Sequence, residues 1–282
     1  MTKKTKNYLV AYGLALPAFL VAMMTVAYPI IVAVQLSFTD NKTGEFTFDN
    51  YKYFFETPAQ FQNLIFTLEV VVATVVLAIF IAYLLALYLR FVKSPISKFI
   101  GTMYLLPRFV PAMCAVYAMM SVIRDSGLIA RLFDCFGIEI ELGLMYHAPG
   151  LVLMNLWFNV PFAALMITAG LGAIPDSIIE GARDVGASKW KTFTSMILPL
   201  SLKDVVVAAT FVFMSNVGSF TTPYLMGGNN PKMLGISLFD QFNKYLNRPR
   251  AAALSVIMFL LCSVSAAVYI YTNLKENEWE KK

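Results

Sequence analysis

The sequence is short of almost everything from which enzymes and soluble domains are built. Its 282 residues include one histidine and three cysteines, and only 14% carry charge. A soluble domain carries roughly 25% charged residues. His147 alone does not supply the convergent acid, base or nucleophile that catalysis needs. Cys114, Cys135 and Cys262 share no metal-like spacing, and Cys114 and Cys262 lie in apolar runs where packing is the default role. No disulfide framework or metal motif follows from them. There is no GxxxxGK[ST] phosphate loop, no G-x-S-x-G and no HExxH, so ATP is not bound here by the phosphate-loop route. The net charge of +5 is spread over connectors instead of forming one patch. It is no nucleic-acid signature, and a mildly basic balance suits a chain beside anionic lipid headgroups.

What fills the sequence instead is apolar: 59% of residues are hydrophobic, and the mean hydropathy is +0.67. An all-α polytopic membrane protein follows, since a spanning helix needs roughly 20 mostly apolar residues. Six segments qualify, at about 9–36, 63–89, 99–123, 150–171, 205–220 and 251–271. Pro17 and Pro29 lie in the first. The fifth has a polar far end (Ser215, Asn216, Ser219) and counts as a span because omitting it puts the basic chain ends on opposite sides. The basic N-terminus precedes an apolar run too long for a signal-peptide core, which points to a retained first span. With no clean internal repeat, the expectation is one membrane domain over residues 1–282.

Lys and Arg in the connectors set orientation. With the N-terminus cytoplasmic, the inner group is Lys3, Lys4, Lys6, Arg90, Lys93, Lys98, Arg183, Lys189, Lys191, Lys203, Lys275, Lys281 and Lys282. The smaller outer group is Lys42, Lys52, Arg124, Arg131, Lys232, Lys244, Arg248 and Arg250. Both termini are therefore expected inside. The outer connectors hold FDNYKYFF, whose aromatics suit the membrane interface; a short interfacial helix between Arg124 and His147; and the turn MGGNNPKM followed by the helically spaced SLFDQFNKYL.

The connector at 176–200, DSIIEGARDVGASKWKTFTSMILPL, joins charge to helical periodicity. Ser177 and Glu180 have the spacing of a capping box. Ile178, Ile179, Ala182 and Val185 fall on one face, and Gly186 sits where a left-handed residue ends a helix. Ser188 is placed to cap a second helix with Trp190, Phe193, Met196 and Ile197 on its apolar side, and Pro199 ends or kinks it. From periodicity alone the pair is either a membrane-surface connector or a docking element for a soluble partner.

Ionisable residues inside spans raise a functional question by default. Glu69, about two turns into the second span, is either a headgroup-level carboxylate at a helix N-terminal end or a ligand or gate for a cationic solute. Arg108 lies between Pro107 and Pro111, which free backbone carbonyls. It pairs with those carbonyls, pairs with Glu69, or meets an anionic solute. Asn155, Asn159, Asn216, Ser219 and Phe220, with Ser215, Thr221, Thr222, Trp157 and Tyr224, either bond and pack between helices or line a pathway.

The connector resembles the cytoplasmic signature of permease subunits of binding-protein-dependent ABC importers, type I. That signature is EAA, a glycine after three residues, and a terminal I-x-L-P run. This sequence has Glu180-Gly181-Ala182, then Gly186 after three residues, and later Ile197-Leu198-Pro199-Leu200, in which Leu198-Pro199 supplies the terminal L-P pair. Gly181 replaces an alanine, a loss of helix propensity of roughly 1 kcal/mol. Within the family, GARDVGAS and GSFTTPYLMGG are closer to the polyamine, iron, thiamine and phosphonate branch than to the sugar branch. The resemblance implies a location in the bacterial cytoplasmic (inner) membrane. It implies a homologous second permease, or a second copy of this chain, and an ATPase dimer that holds ATP and Mg. It also implies an extracytoplasmic solute-binding protein, with no cofactor on this chain and alternating access in two discrete states. Ser177, Glu180, Gly181, Ala182, Asp184 and Gly186 would form the ATPase-coupling element. Competing classes are a stand-alone ion-coupled carrier, for which only Glu69 and Arg108 are available, and a membrane-embedded enzyme, for which no catalytic cluster exists.

Overall fold

The computed structural model describes residues 3–279, with side chains over residues 12–272. The orienting side chains of Lys3, Lys4, Lys6, Lys275, Lys281 and Lys282 thus lie outside the described residues. Among the described residues the regular structure is helical, joined by turns and loops, with one isolated bridge between Thr39 and Phe46. In order, the helices are α1 (Lys3–Ala22), α2 (Tyr28–Ser37), α3 (Asp49–Glu56), α4 (Pro58–Phe91), α5 (Pro95–Met103), α6 (Ala112–Ile123), α7 (Leu128–Asp134), α8 (Ala148–Ala173), α9 (Asp176–Asp184), α10 (Lys189–Thr192), α11 (Leu198–Val217), α12 (Thr221–Met226), α13 (Leu234–Phe239) and α14 (Arg248–Trp279). Among the described residues six stretches are long and apolar enough to cross a membrane: Tyr12–Ser37, Pro58–Phe91, Ala112–Asp134, Ala148–Ala173, Lys189–Val217 and Arg248–Thr272. The protein is a polytopic membrane protein of the all-α class.

Two spans differ from the sequence expectation, and proline explains both. The third, expected over about 99–123 with Pro107 and Pro111 inside it, is broken at those prolines, and its apolar stretch runs Ala112–Asp134. Pro107 sits in the tight turn Leu106–Phe109 and Pro111 caps α6, so neither supplies the N–H a continuous helix needs. The 12-residue α6 rises about 18 Å, short of the roughly 30 Å hydrocarbon core. The fifth starts at Lys189, not near 205. Pro199 does not end the helix: a widened π turn at Phe193–Ile197, closed by Leu198 N–H on the Phe193 carbonyl, carries α10 into α11. The first span uses the same device. Its π turn at Met23–Ala27 precedes Pro29, and Tyr28 N–H donates to the Met23 carbonyl. In each case the wide turn falls just before a ring that would crowd an ordinary helical carbonyl.

Contacts divide the chain into two units, residues 1–60 with 238–259, and residues 61–237 with 260–282. In the first, the corner after α2 is built from side chains. Asn50 Nδ2 donates to the Ser37 and Thr39 carbonyls at 2.9 Å, and Phe38 packs on Phe46, Phe48 and Tyr51. The guanidinium of Arg250 lies 3.9 Å from the centre of the Tyr53 ring.

The second unit is organised on α4, α8 and α11. Along α4 the buried residues Thr67, Val70, Val71, Thr74, Ala78, Ala82 and Ala86 recur at helical spacing. Of these, Ala78, Ala82 and Ala86 meet Ala163, Ala164, Ile167 and Leu171 of α8 and Ala208 and Val212 of α11. Small residues let the backbones approach, which is what holds helices together where lipid competes for apolar contact. A hydrogen bond of 2.8 Å between Tyr83 and Ser201 ties α4 to α11. The core continues through Ile174, Ile179 and Ile197 into the 176–200 connector, so that segment is rooted in the bundle.

Candidate functional site

The connector folds as two short helices at a sharp bend. Gly186 has φ +81°. Its N–H donates to the Arg183 carbonyl at 2.8 Å, and Ala187 N–H to the Ala182 carbonyl at 3.0 Å. These two bonds form the Schellman ending that a left-handed glycine permits. Ser188 then caps α10, accepting from Lys191 N–H at 3.2 Å. The capping box expected from Ser177 and Glu180 does not form. Pro175 occupies the cap position of α9 with no side-chain cap, and Asp176 is the first helical residue. Ser177 is thereby already inside the helix, two residues past the cap position.

Burial splits the expected apolar face. Ile179 and Ala182 are buried against the core, whereas Val185 is 84% exposed and Ile178 39%. On α10, Trp190 is 73% exposed and leans on Phe193, whose ring meets Tyr83. Glu180, Asp184, Lys189 and Lys191 are exposed. Beside this surface lies a cavity of about 460 Å³, walled by Leu87 and Phe91 of α4, Ile179 and Arg183 of α9, and Lys189 and Phe193. The connector therefore presents apolar and charged side chains together on a backbone whose buried side is fixed.

One residue that holds it was not singled out in the sequence. Arg90, in the last turn of α4, donates from Nε to the Leu171 carbonyl and from Nη2 to the Ile174 carbonyl, each at 3.2 Å, and pairs with Asp176. Its only sequence signal is a cation at the end of an apolar run.

The other expected residues lie in separate places. Glu69 is exposed and borders an apolar groove of about 470 Å³ between α4 (Val70, Ala73, Leu77) and α8 (Val152, Leu153, Leu156). Arg108 does not reach it. Its guanidinium lies 4.9 Å from the Phe162 ring centre and makes a long contact of 3.5 Å to the Phe158 carbonyl. At about 100° per residue those α8 positions point away from the Glu69 groove. Asn155, Asn159 and Asn216 are buried together. Asn159 Nδ2 donates to the Asn155 carbonyl at 2.7 Å and to Asn216 Oδ1 at 3.4 Å, and Ser215 Oγ donates to Asn159 Oδ1 at 3.3 Å. This is a hydrogen-bonded joint between α8 and α11.

Ser219 and Phe220 lie beyond that joint. Phe220 stacks on Tyr224 at 5.0 Å, and the Ser219 carbonyl is pressed against Gly235, where an added Cβ would sit 2.3 Å from it. The 230s segment is also stitched to α4. Asn63 Oδ1 accepts from Lys232 N–H at 2.8 Å, and Thr67 Oγ1 from Leu234 N–H at 2.9 Å. Among the described residues no group of three or more metal-type ligands occurs.

Comparison with known proteins completes the picture. Residues 74–275 match the family model described as binding-protein-dependent transport system inner membrane component. The chain is 25% identical over 243 residues to the inner membrane ABC transporter permease protein YdcU of Escherichia coli, covering 82% of this chain and 77% of that protein. It is 22% identical over 225 residues to the spermidine/putrescine transport system permease protein PotB of Salmonella typhimurium, covering 79% and 78%. It is 27% identical over 273 residues to the trehalose transport system permease protein SugA of Mycobacterium tuberculosis, covering 92% and 87%. Among solved structures, a bacterial alginate ABC transporter in complex with an alginate pentasaccharide-bound periplasmic protein contains a chain of the same fold. Its TM-score is 0.81 at 18% identity, with 99% of this chain and 98% of that one covered. The chain belongs to the inner-membrane component family of binding-protein-dependent transport systems, and is a multi-pass permease subunit of an ABC importer, not an enzyme.

Proposed function

We propose that this permease takes a small solute from an extracytoplasmic binding protein and passes it inward by alternating access, driven by a separate ATPase dimer that docks on residues 176–200. The whole chain acts as one transport domain, with both termini cytoplasmic, beside a homologous permease or a second copy of itself. ATP and Mg belong to the ATPase. The observation that carries this reading is the connector's division of labour. Ile179 and Ala182 root α9 in the core, while Val185 and Ile178 stay exposed on a bend fixed by Gly186. An exposed apolar tip flanked by charge on a rigid base is what a docking element needs. Ser177, Glu180, Gly181, Ala182, Asp184 and Gly186 are its residues. The solute we favour is a polyamine or related small charged molecule, in keeping with the PotB likeness and with a carboxylate, Glu69, at the α4–α8 groove. The SugA likeness keeps a sugar as the second reading.

The test is Gly186→Glu. A side chain at φ +81° strains the bend. The variant should insert normally and lose at least about tenfold in ATPase copurification, since a bend forced open misplaces the whole docking tip. Undiminished copurification, or transport by the chain with no ATPase present, would defeat the reading. Thermal-shift screening of the cognate binding protein against polyamines, thiamine, phosphonates, iron chelates and sugars decides the solute class.

A further inference from the structure

We propose that Arg90 is a positioning residue that makes α4 and α8 move as one body with α9, so that force applied to the connector reaches two spans at once. This rests on the docking role given above.

The argument begins with what a guanidinium offers: several donors in a fixed plane, always charged. Arg90 uses that fork on three acceptors belonging to two other elements. Nε and Nη2 take the Leu171 and Ile174 carbonyls, each at 3.2 Å, and Nη2 also pairs with Asp176 Oδ1. The two carbonyls stand at the C-terminal end of α8, where intrahelical partners run out and a cation is favoured. Asp176 stands in the first turn of α9, where an anion is favoured. Arg90 thus lies between the negative end of one helix and the acid at the start of the next. Its own side chain is 20% exposed and Asp176 is 64% exposed, so water screens the ion pair and the two part-buried carbonyl bonds carry most of the attachment.

The link from α8 to α9 is already short. Ile174 and Pro175 alone separate them, Ile174 is buried, and Pro175 has φ −62°. A two-residue link with a proline leaves α9 little freedom against α8. Arg90 supplies the second attachment, from α4. Two attachments to different helices remove the hinge that one would leave. A lysine at this position keeps the charge but contacts as a point, without the planar fork.

The experiment uses the full chain with its ATPase subunits in lipid nanodiscs, probed with Mg·ATP and vanadate. Hydrogen exchange is followed at residues 174–184 and at residues 221–237. For Arg90→Ala the ATPase should remain bound and hydrolyse ATP. Exchange in the first turn of α9 should rise about tenfold, and the nucleotide-dependent change at 221–237 should shrink at least about fivefold, as expected when a coupling contact is lost. Arg90→Lys should fall between. Asp176→Asn, which removes the ion pair and leaves the two carbonyl bonds, is the milder variant should Arg90→Ala not insert. A fully transmitted nucleotide response in Arg90→Ala overturns the proposal. So does a uniform rise in exchange over the whole bundle with that response retained, which is the mark of a merely structural arginine. If wild type itself holds no ATPase, the docking reading fails first, and that outcome is visible before any Arg90 variant is made.

Discussion

The two ends of the α4–α8–α11 unit solve opposite problems. At the connector end, backbone and core are separated. Ile179, Ala182 and Ile197 fasten the segment from beneath, and the added methyl of an alanine at Gly181 would meet nothing within 4 Å. At the end carrying residues 218–237, backbone packs on backbone. Added Cβ atoms would lie 2.3 Å from the Ser219 carbonyl at Gly235, 2.4 Å from the Pro223 carbonyl at Gly227 and 2.8 Å from the Tyr146 carbonyl at Gly228. One end displays side chains on a firm base and leaves space above them. The other closes its own space, and helix side chains serve loop amides there. Glycine therefore means different things at the two ends: at Gly186 it permits a bend, at Gly235 it permits contact.

That contrast can be broken by substitution. The largest effect should come from Gly235→Ala. The methyl cannot fit unless the Ser219 backbone moves, and overpacking of this kind destabilises by about 1–3 kcal/mol or more. Thermal unfolding of the purified chain should show a lowered midpoint, and an unchanged one would mean that the contact is loose. Next comes Asn63→Ala, which removes the acceptor of Lys232 N–H. Loss of a part-buried hydrogen bond costs about 0.5–1.5 kcal/mol, and amide exchange at Lys232 should accelerate while that at Ala187 does not. The smallest effect, of opposite sign, belongs to Gly181→Ala. It adds helix propensity of up to about 1 kcal/mol at a position with room for it. The unfolding midpoint should rise slightly with ATPase association intact. A fall would show that the connector end is as tightly filled as the other.

Much of this architecture could be foreseen from residue type and order. Apolar runs located all six spans, since length and hydropathy are local properties. The Gly186 bend was legible because only a few residues tolerate positive φ. The asparagines were legible as polar atoms in an apolar setting, although which of them bond to one another required the α8–α11 packing. Other features escaped for identifiable reasons. The cap position expected for Ser177 is taken by Pro175, and the Arg90–Asp176 pair at that turn joins residues 86 apart in sequence. Two of the acceptors of Arg90 are main-chain carbonyls, 81 and 84 residues distant, and carbonyls carry no sequence signature. In the third span the two prolines were legible, but the bounds were not, because hydropathy alone does not tell on which side of the break the spanning stretch lies.

The π turns before Pro29 and Pro199 have a rotational consequence. One extra residue within a helix turns everything beyond it by about 100° relative to everything before it. In the fifth span the turn at Phe193–Ile197 separates the side chains of α10, on the connector, from those of α11, which pack on α8. The helix thus carries two angular registers. The face that Trp190 and Lys191 show is not bound to the face that Ala208 and Val212 bury, so a single rod can be aimed independently at its two ends.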